Sequence, residues 1–256
     1  LLVMIVAGIA IAIVTIRRQR PVQAGKCSDD KSLEQVNALV RELVHEIRNP
    51  LNSINLNLEL LEEDFSDTQR DPDDLQQRVR RVRGEVGRLD RILTDFRRYA
   101  KLPPLTLETC DLARLIEEVL DFNEPEAQKQ EIQVIRELQE LYPIELDREQ
   151  FKQALLNLII NANQAMEDGG KLIVCAKPLN GQIQIDVEDT GRGIPLDRTN
   201  KIFDLFFSTK EDGTGVGLTI VKQVIEAHGG HVNVDSKLDH GTTFSILLPV
   251  KTSTRT

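Results

Sequence analysis

The sequence has little cysteine, no excess of positive charge and no internal repeat. Its three cysteines, Cys27, Cys110 and Cys175, stand far apart, with no CxxC pair and no histidine at metal-ligand spacing. That excludes a disulfide framework and a zinc site, and reduced thiols fit a cytoplasmic compartment better. The formal charge is −9 at pH 7. DNA or RNA is excluded as the main partner, because a phosphate backbone needs a basic field. A small anion held by backbone amides and a metal ion stays compatible with that charge. Neither a Walker A sequence nor the GxGxxG of a dinucleotide crevice is present. Low-complexity tracts are also missing.

What is there reads as globular protein: 256 residues, 40% hydrophobic and 29% charged, enough for two compact domains. The first stretch differs in kind. Residues 1–16 carry no charged side chain, and Arg17, Arg18 and Arg20 follow at once. As a helix this run spans about 24 Å, against a hydrocarbon core of about 30 Å. It is slightly short and the chain begins with Leu, so we expect the C-terminal part of a transmembrane helix. A cleaved signal peptide would place its basic residues before the apolar run and a small-residue site after it. The basic flank puts everything that follows on the cytoplasmic side of the cell (inner) membrane. Residues 17–32 then form a juxtamembrane linker.

From Leu33 to Leu61 apolar residues recur in steps of three and four, the spacing of one face of a long helix. A break from Asp64 to Asp74 follows. Leu75, Val79, Val82, Val86, Leu89, Leu93 and Phe96 then alternate by four and three, a heptad seam. Two such helices make a hairpin, and one hairpin cannot cover both apolar stripes. Pairing two hairpins into a four-helix bundle does, so a homodimer is expected over residues 33–101. The prolines between Lys101 and Leu105 mark a boundary. Residues 106–250 read as an α/β domain and 251–256 as a tail. Within the α/β domain, Asp111 caps a helix to about Leu120 and Asp147 caps another through Met166. Val216–Ala227 is helical. Strands are expected at Ile132–Arg136, Ile144–Leu146, Leu172–Ala176, Ile183–Val187, Val232–Val234 and Thr243–Leu248.

His45-Glu46-Ile47-Arg48-Asn49-Pro50 lies inside the first long helix. At about 100° per residue, Arg41, His45, Arg48 and Asn52 share one stripe, away from Leu43 and Ile47. An exposed neutral imidazole is a usable nucleophile near pH 7. Glu46 can take the ring proton or hold the tautomer, and Asn49, one turn on, can bond the reacting group or a water. An ordinary surface histidine is the competing reading. Against it stands Pro50, which compromises the ladder of a helix with good apolar periodicity beside these groups, as expected of a functional position.

Four loops could make one nucleotide site. Asn157 and Asn161 are one helical turn apart and offer neutral oxygens for Mg²⁺, although paired asparagines also cross-link helices. Asp189-Thr190-Gly191-Arg192-Gly193-Ile194 ends a strand; its carboxylate can accept from an adenine amino group, or the segment can be a plain turn. Ile202–Lys210 packs three phenylalanines beside a lysine, a lid with Lys210 available to a γ-phosphate. Gly213-Thr214-Gly215-Val216-Gly217-Leu218 opens a helix whose amides can cradle phosphate.

These residues resemble the bacterial two-component sensor histidine kinases. HEIRNP resembles their phosphoacceptor box, and NLIINANQAM, DTGRGI, IFDLFFSTK and GTGVGL resemble their four ATP-site boxes in the usual order. The wording of the last two is similar to the nitrogen-regulatory subfamily. The resemblance implies a dimerisation and phosphotransfer bundle followed by an α/β sandwich of the Bergerat type. It implies His45 as phosphoacceptor with Glu46 as acid–base partner, and Glu46 and Asn49 as an E-x-x-N pair for dephosphorylating the partner. Asn161, supported by Asn157, would hold Mg²⁺; Asp189 would read adenine; Gly191 and Gly193 would form the base-side loop. Lys210 and the backbone of Gly213, Thr214, Gly215, Val216, Gly217 and Leu218 would manage the phosphates of ATP. The implied partner is the receiver domain of a cytoplasmic response regulator. An ATP-gated clamp shares the nucleotide fold but has no use for an exposed histidine in HEIRNP. A scaffold without kinase activity has no use for complete ATP boxes.

Overall fold

The computed structural model describes residues 28–65, 72–100, 103–210 and 213–250. The expected membrane helix over 1–16 and most of the linker lie outside them. Among the described residues no helix is long and apolar enough to cross a membrane. The chain divides into two units, Leu1–Ile92 and Leu93–Thr256.

The first unit is built on a helical hairpin, α1 (Ser28–Phe65) and α2 (Pro72–Ala100). The break between them is shorter than its sequence suggests. Pro72 is the first residue of α2, where its preset φ suits a helix start and its missing N–H is not needed. Asp73 and Asp74 complement the positive end of the same helix. At the other side of the break Asp64 stays helical, 3% exposed, and accepts from Arg78 Nε at 2.7 Å. That ion pair ties the end of α1 to the second turn of α2. Leu43, Leu61 and Ile92 are buried. The heptad seam splits in two. Leu75, Val82 and Leu89 are half-buried, whereas Val79 is 47% exposed and Val86 54%. Leu56 and Leu58 of α1 are exposed as well.

The second unit takes in Leu93–Ala100 and the α/β domain. Its elements are β1 (Glu108–Cys110), α3 (Leu112–Lys129), β2 (Ile132–Leu138), β3 (Ile144–Leu146), α4 (Arg148–Ala165), β4 (Gly170–Leu179), β5 (Gln182–Asp189), α5 (Leu196–Thr199), α6 (Gly217–Ala227), β6 (His231–Lys237) and β7 (Gly241–Pro249). Five strands form one sheet in the order β2-β4-β5-β7-β6, parallel only between β2 and β4. β1 and β3 make a separate antiparallel pair. Alternation along the strands explains the layering. Leu172, Val174 and Ala176 of β4 stand beside Val187 and Ile185 of β5 and Phe244 and Ile246 of β7, all buried. α3, α4 and α6 cover this face, and the residues between face outward.

Several elements differ from expectation. α3 continues nine residues past Leu120, through Pro125. The proline deletes one ladder bond, but Asn123 and Ala127 are buried in those last turns and hold them down. Asn163 Nδ2 of α4 donates to Asn123 Oδ1 at 2.9 Å, a cross-helix bond between two buried side chains. β4 and β5 run longer because Asn180 and Gly181 join them with φ of 48° and 79°. Two consecutive positive φ angles make a tight turn that matches the strand twist. β1, three residues long, has too little pattern to be read from its sequence.

Candidate active site

Alternation places the first site residue. Ile183, Ile185 and Val187 point into the core, so Asp189 is the next inward position of β5 and is 4% exposed. It lies in register with Leu172 and Thr242. Its carboxylate accepts the Gly191 N–H at 2.9 Å and a backbone N–H from Thr242. Burial pushes the carboxyl above its ordinary range, and those amides and Lys210 pull it part of the way back. The following loop is held by close approach. Gly193 has φ 65°, and a Cβ there would run into the carbonyl of Lys237. Arg192 N–H donates to Ala165 O at 3.1 Å, fixing the loop to the end of α4.

On α4, Phe151, Leu155, Leu158, Ile159 and Ala162 bury one face, leaving Asn157 and Asn161 half-buried on another. Asn157 is engaged at both ends of its amide. It accepts from Gln153 Nε2 at 3.1 Å and donates to Gly217 O at 3.2 Å, so it pins α4 to the start of α6. Asn161 Oδ1 accepts from Lys210 Nζ at 3.3 Å. Lys210 Nζ also donates to Gln164 Oε1 at 2.6 Å. Burial lowers the Lys210 ammonium to about 8 and Arg192 adds to this, while Asp189 and Glu167 oppose it.

The phenylalanine segment wraps over this region. Ile202 is buried and Phe203 meets Phe244 edge-on at 6.4 Å. Phe206 has φ 62°, an unusual state for an aromatic residue, and stacks on Phe96 at 6.4 Å. Gly215, also at positive φ, fits against the backbone of Phe206 and Phe207 where a Cβ would clash. Thr219 Oγ1 bonds Phe203 O at 3.1 Å, and Thr214 Oγ1 donates to Asp95 Oδ2 at 2.7 Å. Val216 is fully buried at the N-cap of α6. No side chain caps that helix, so its first amides are not spent on a capping group.

Direct bonds join two pairs of the expected site residues of the second unit, Asn161 to Lys210 and Asn157 to Gly217. Reading the sequence missed Gln164, whose three-residue spacing from Asn161 was a usable signal. It also missed Asp95 and the stack of Phe96, which carry no local signal. In the first unit His45, Asn49, Arg41, Arg48 and Asn52 are exposed, Glu46 is half-buried and Leu43 is 1% exposed. α1 runs unbroken through Pro50, whose missing N–H leaves the carbonyl of Glu46 without its helical partner.

Two family models match this chain. The His Kinase A (phospho-acceptor) domain covers residues 35–104, and the histidine kinase-, DNA gyrase B- and HSP90-like ATPase covers 146–252. The catalytic domain of histidine kinase ThkA is 32% identical with a TM-score of 0.52, over 56% of this chain and 95% of that one.

The chain belongs to the two-component sensor histidine kinases.

The sensor histidine kinase ZraS of Escherichia coli (strain K12) is 33% identical over 91% of this chain. The chain spans half the length of ZraS. ThkA solved in complex with the response regulator TrrA has a TM-score of 0.71 at 27% identity, over 88% of this chain and 65% of that one. The two domain matches carry the helical hairpin and α/β sheet expected from the sequence. None of these relatives establishes the nitrogen-regulatory subfamily.

Proposed function

We propose that this kinase phosphorylates His45 from Mg·ATP and passes the phosphoryl group to an aspartate of a response regulator. The observation that carries it is the exposure of His45 beside half-buried Glu46, on a helix whose opposite face buries Leu43. One imidazole nitrogen bonds the γ-phosphorus as the bridging oxygen–phosphorus bond breaks, and ADP leaves. Glu46 takes the proton from the other ring nitrogen. The same chain supplies an ATPase domain in which Asn157, Asn161, Lys210 and the opening of α6 converge. Asp189 reads the adenine amino group, Gly191 and Gly193 admit the ring, and Lys210 and residues 213–218 hold the phosphates. Catalysis here is positioning and charge neutralisation more than covalent chemistry.

Asn161 fits the metal role. Its Oδ1 already accepts from a cation, the Lys210 ammonium, and a neutral amide oxygen suits Mg²⁺. The metal would neutralise charge on the phosphates. Asn49, one turn beyond His45, can direct water at the partner's phosphoaspartate, which makes phosphatase activity part of the reading. The exposed stripe of Val79 and Val86 supports a homodimer through residues 33–101, with 106–250 as the ATP-binding domain. The uncharged run over 1–16 and its arginines support an anchor in the cell membrane, with the catalytic domains cytoplasmic.

Incubation with γ-labelled ATP tests the central step. Acid-labile, base-stable label that disappears in His45→Gln is expected. Acid-stable label, or label retained by His45→Gln, overturns it.

A further inference from the structure

Lys210 is the one cationic side chain bonded to Asn161 among the described residues, and its position is set from outside the segment that carries it. A lysine ammonium is a point charge on a flexible four-carbon stem with three donors. Left alone it would sample many positions, and its contribution to a phosphoryl transfer would be diluted accordingly. Here one donor goes to Gln164 Oε1 at 2.6 Å and a second to Asn161 Oδ1 at 3.3 Å. The shorter bond is to Gln164, on the last turn of α4, three residues after Asn161. Both acceptors sit on one rigid helix whose other face is locked into the core by Leu158, Ile159 and Ala162.

We infer that Gln164 is a positioning residue, which holds Lys210 over α4 with its charge intact for the γ-phosphate of ATP. The inference rests on the role given to Lys210 above. The residue type matters as much as the distance. A carboxylate at 164 would bond the ammonium more strongly, but it would also neutralise it and repel an incoming phosphate. A neutral amide oxygen orients the ammonium and leaves its charge unspent. Gln164 therefore does not touch substrate. It acts through Lys210, and its effect is confined to whatever Lys210 contacts. ADP, which lacks the γ-phosphate, should not register its loss.

The test uses the full chain and four variants: Gln164→Ala, Gln164→Glu, Lys210→Met, and Gln164→Ala combined with Lys210→Met. Gln164→Ala is expected to slow labelling of His45 about tenfold, a modest share of the effect of removing a positioned transition-state donor. Affinity for ADP stays within about twofold, since a bond that acts only on the γ-phosphate is absent from that complex. Gln164→Glu, which keeps the acceptor and adds a charge, is slower than Gln164→Ala. In the Lys210→Met background, Gln164→Ala adds nothing, because the two residues act as one unit. Loss of ADP affinity in Gln164→Ala, normal labelling in Gln164→Glu, or a full Gln164→Ala effect in the Lys210→Met background overturns the inference. Normal labelling by Lys210→Met itself instead overturns the role of Lys210. A slow Lys210→Met beside a normal Gln164→Ala defeats only the positioning of Lys210 by Gln164.

Discussion

The α/β domain covers its own apolar faces, whereas the hairpin leaves one stripe of its seam bare. In the domain three helices close over one side of a five-stranded sheet, and Leu112, Phe151, Leu158, Ile185 and Ile246 are all essentially inaccessible. In the hairpin Leu75, Val82 and Leu89 find cover while Val79 and Val86 do not. A sheet with helices on it is a complete solution to burial; two helices are not. The chemistry divides in the same way. The domain places Asp189 at a core position, and its proposed nucleotide contacts come from loops and a helix start. The hairpin keeps His45 on an open helical face, where a large partner can reach it. Between residues 105 and 250 acidic side chains outnumber basic ones by 25 to 13. The domain's overall field therefore repels a triphosphate, and on the proposed reading local amides and Lys210 hold it against that field.

Breaking the exposed stripe should have the largest effect. Val86→Asp places a carboxylate from each copy in the expected interface, which costs about 4 kcal/mol or more. Sedimentation should find monomers at concentrations where the parent chain is dimeric, with ADP binding intact. A dimeric Val86→Asp would remove the distinction between a self-sufficient domain and a dependent hairpin. Next comes Asp189→Asn. Either orientation of the amide sets a donor against the N–H groups of Gly191 and Thr242 or against the adenine amino group. Calorimetry should give about a hundredfold weaker binding of ATP and ADP alike, equivalent to about 2.7 kcal/mol, with the dimer unchanged. Unaltered affinity would sink the adenine role.

The same contrast governs what could be read from the sequence. Period-based features were legible in both units: the heptad seam, the exposure of His45, and the inward Asp189 at the end of an alternating strand. So were the caps, since Asp111 and Asp147 each accept from an N–H three residues on. Features set by distant partners were not. Asp95 and Thr214 are 119 residues apart, and nothing near either one announces the other. α3 outran its expected end because buried Asn123 and Ala127 outweigh the local cost of Pro125. Asn157 was read as a ligand helper, and its bond to Gly217 realises the cross-linking alternative. The Asn180-Gly181 turn had a clear signal in its residue types and was legible but unread.

Asp147 shows how the domain secures its helix starts. Burial raises its carboxyl, but the N–H groups of Gln150 and Thr106 and the Gln150 side chain bring it below its ordinary value. The Asp147 N–H donates to His228 Nε2 at 2.9 Å, so the ring carries its proton on Nδ1, 2.7 Å from Val224 O. A carboxyl depressed in the folded state adds stability that is present above its unfolded value of 3.8 and fades as pH falls through the folded one. Asp147→Asn should cost about 1–2 kcal/mol at pH 7. Denaturant melts should show the deficit shrinking as pH drops below 3.8. A deficit independent of pH would mean that the loss lies in shape and not in charge.

The smallest effect is expected where the last turns of α2 meet the glycine loop. Asp95 Oδ2 accepts from Thr214 Oγ1 at 2.7 Å, and Arg98 lies 4.0 Å from its other carboxylate oxygen. Its carboxylate is about a quarter exposed and lies beside the loop expected to hold phosphate. Asp95→Asn keeps an acceptor for Thr214 and removes the negative charge. Like-charge repulsion at a partly exposed site is worth about half a kcal/mol, so half-saturation by ATP should fall about two- to threefold at low salt. The gain should shrink as salt rises, because screening removes what the substitution removed. Thr214→Val separates charge from the bond itself: it breaks the contact and leaves the carboxylate in place, so it should not reproduce the gain. Equal improvement in both variants would assign the effect to a freed loop, and the contrast between an acidic domain and a locally built anion site would lose its support.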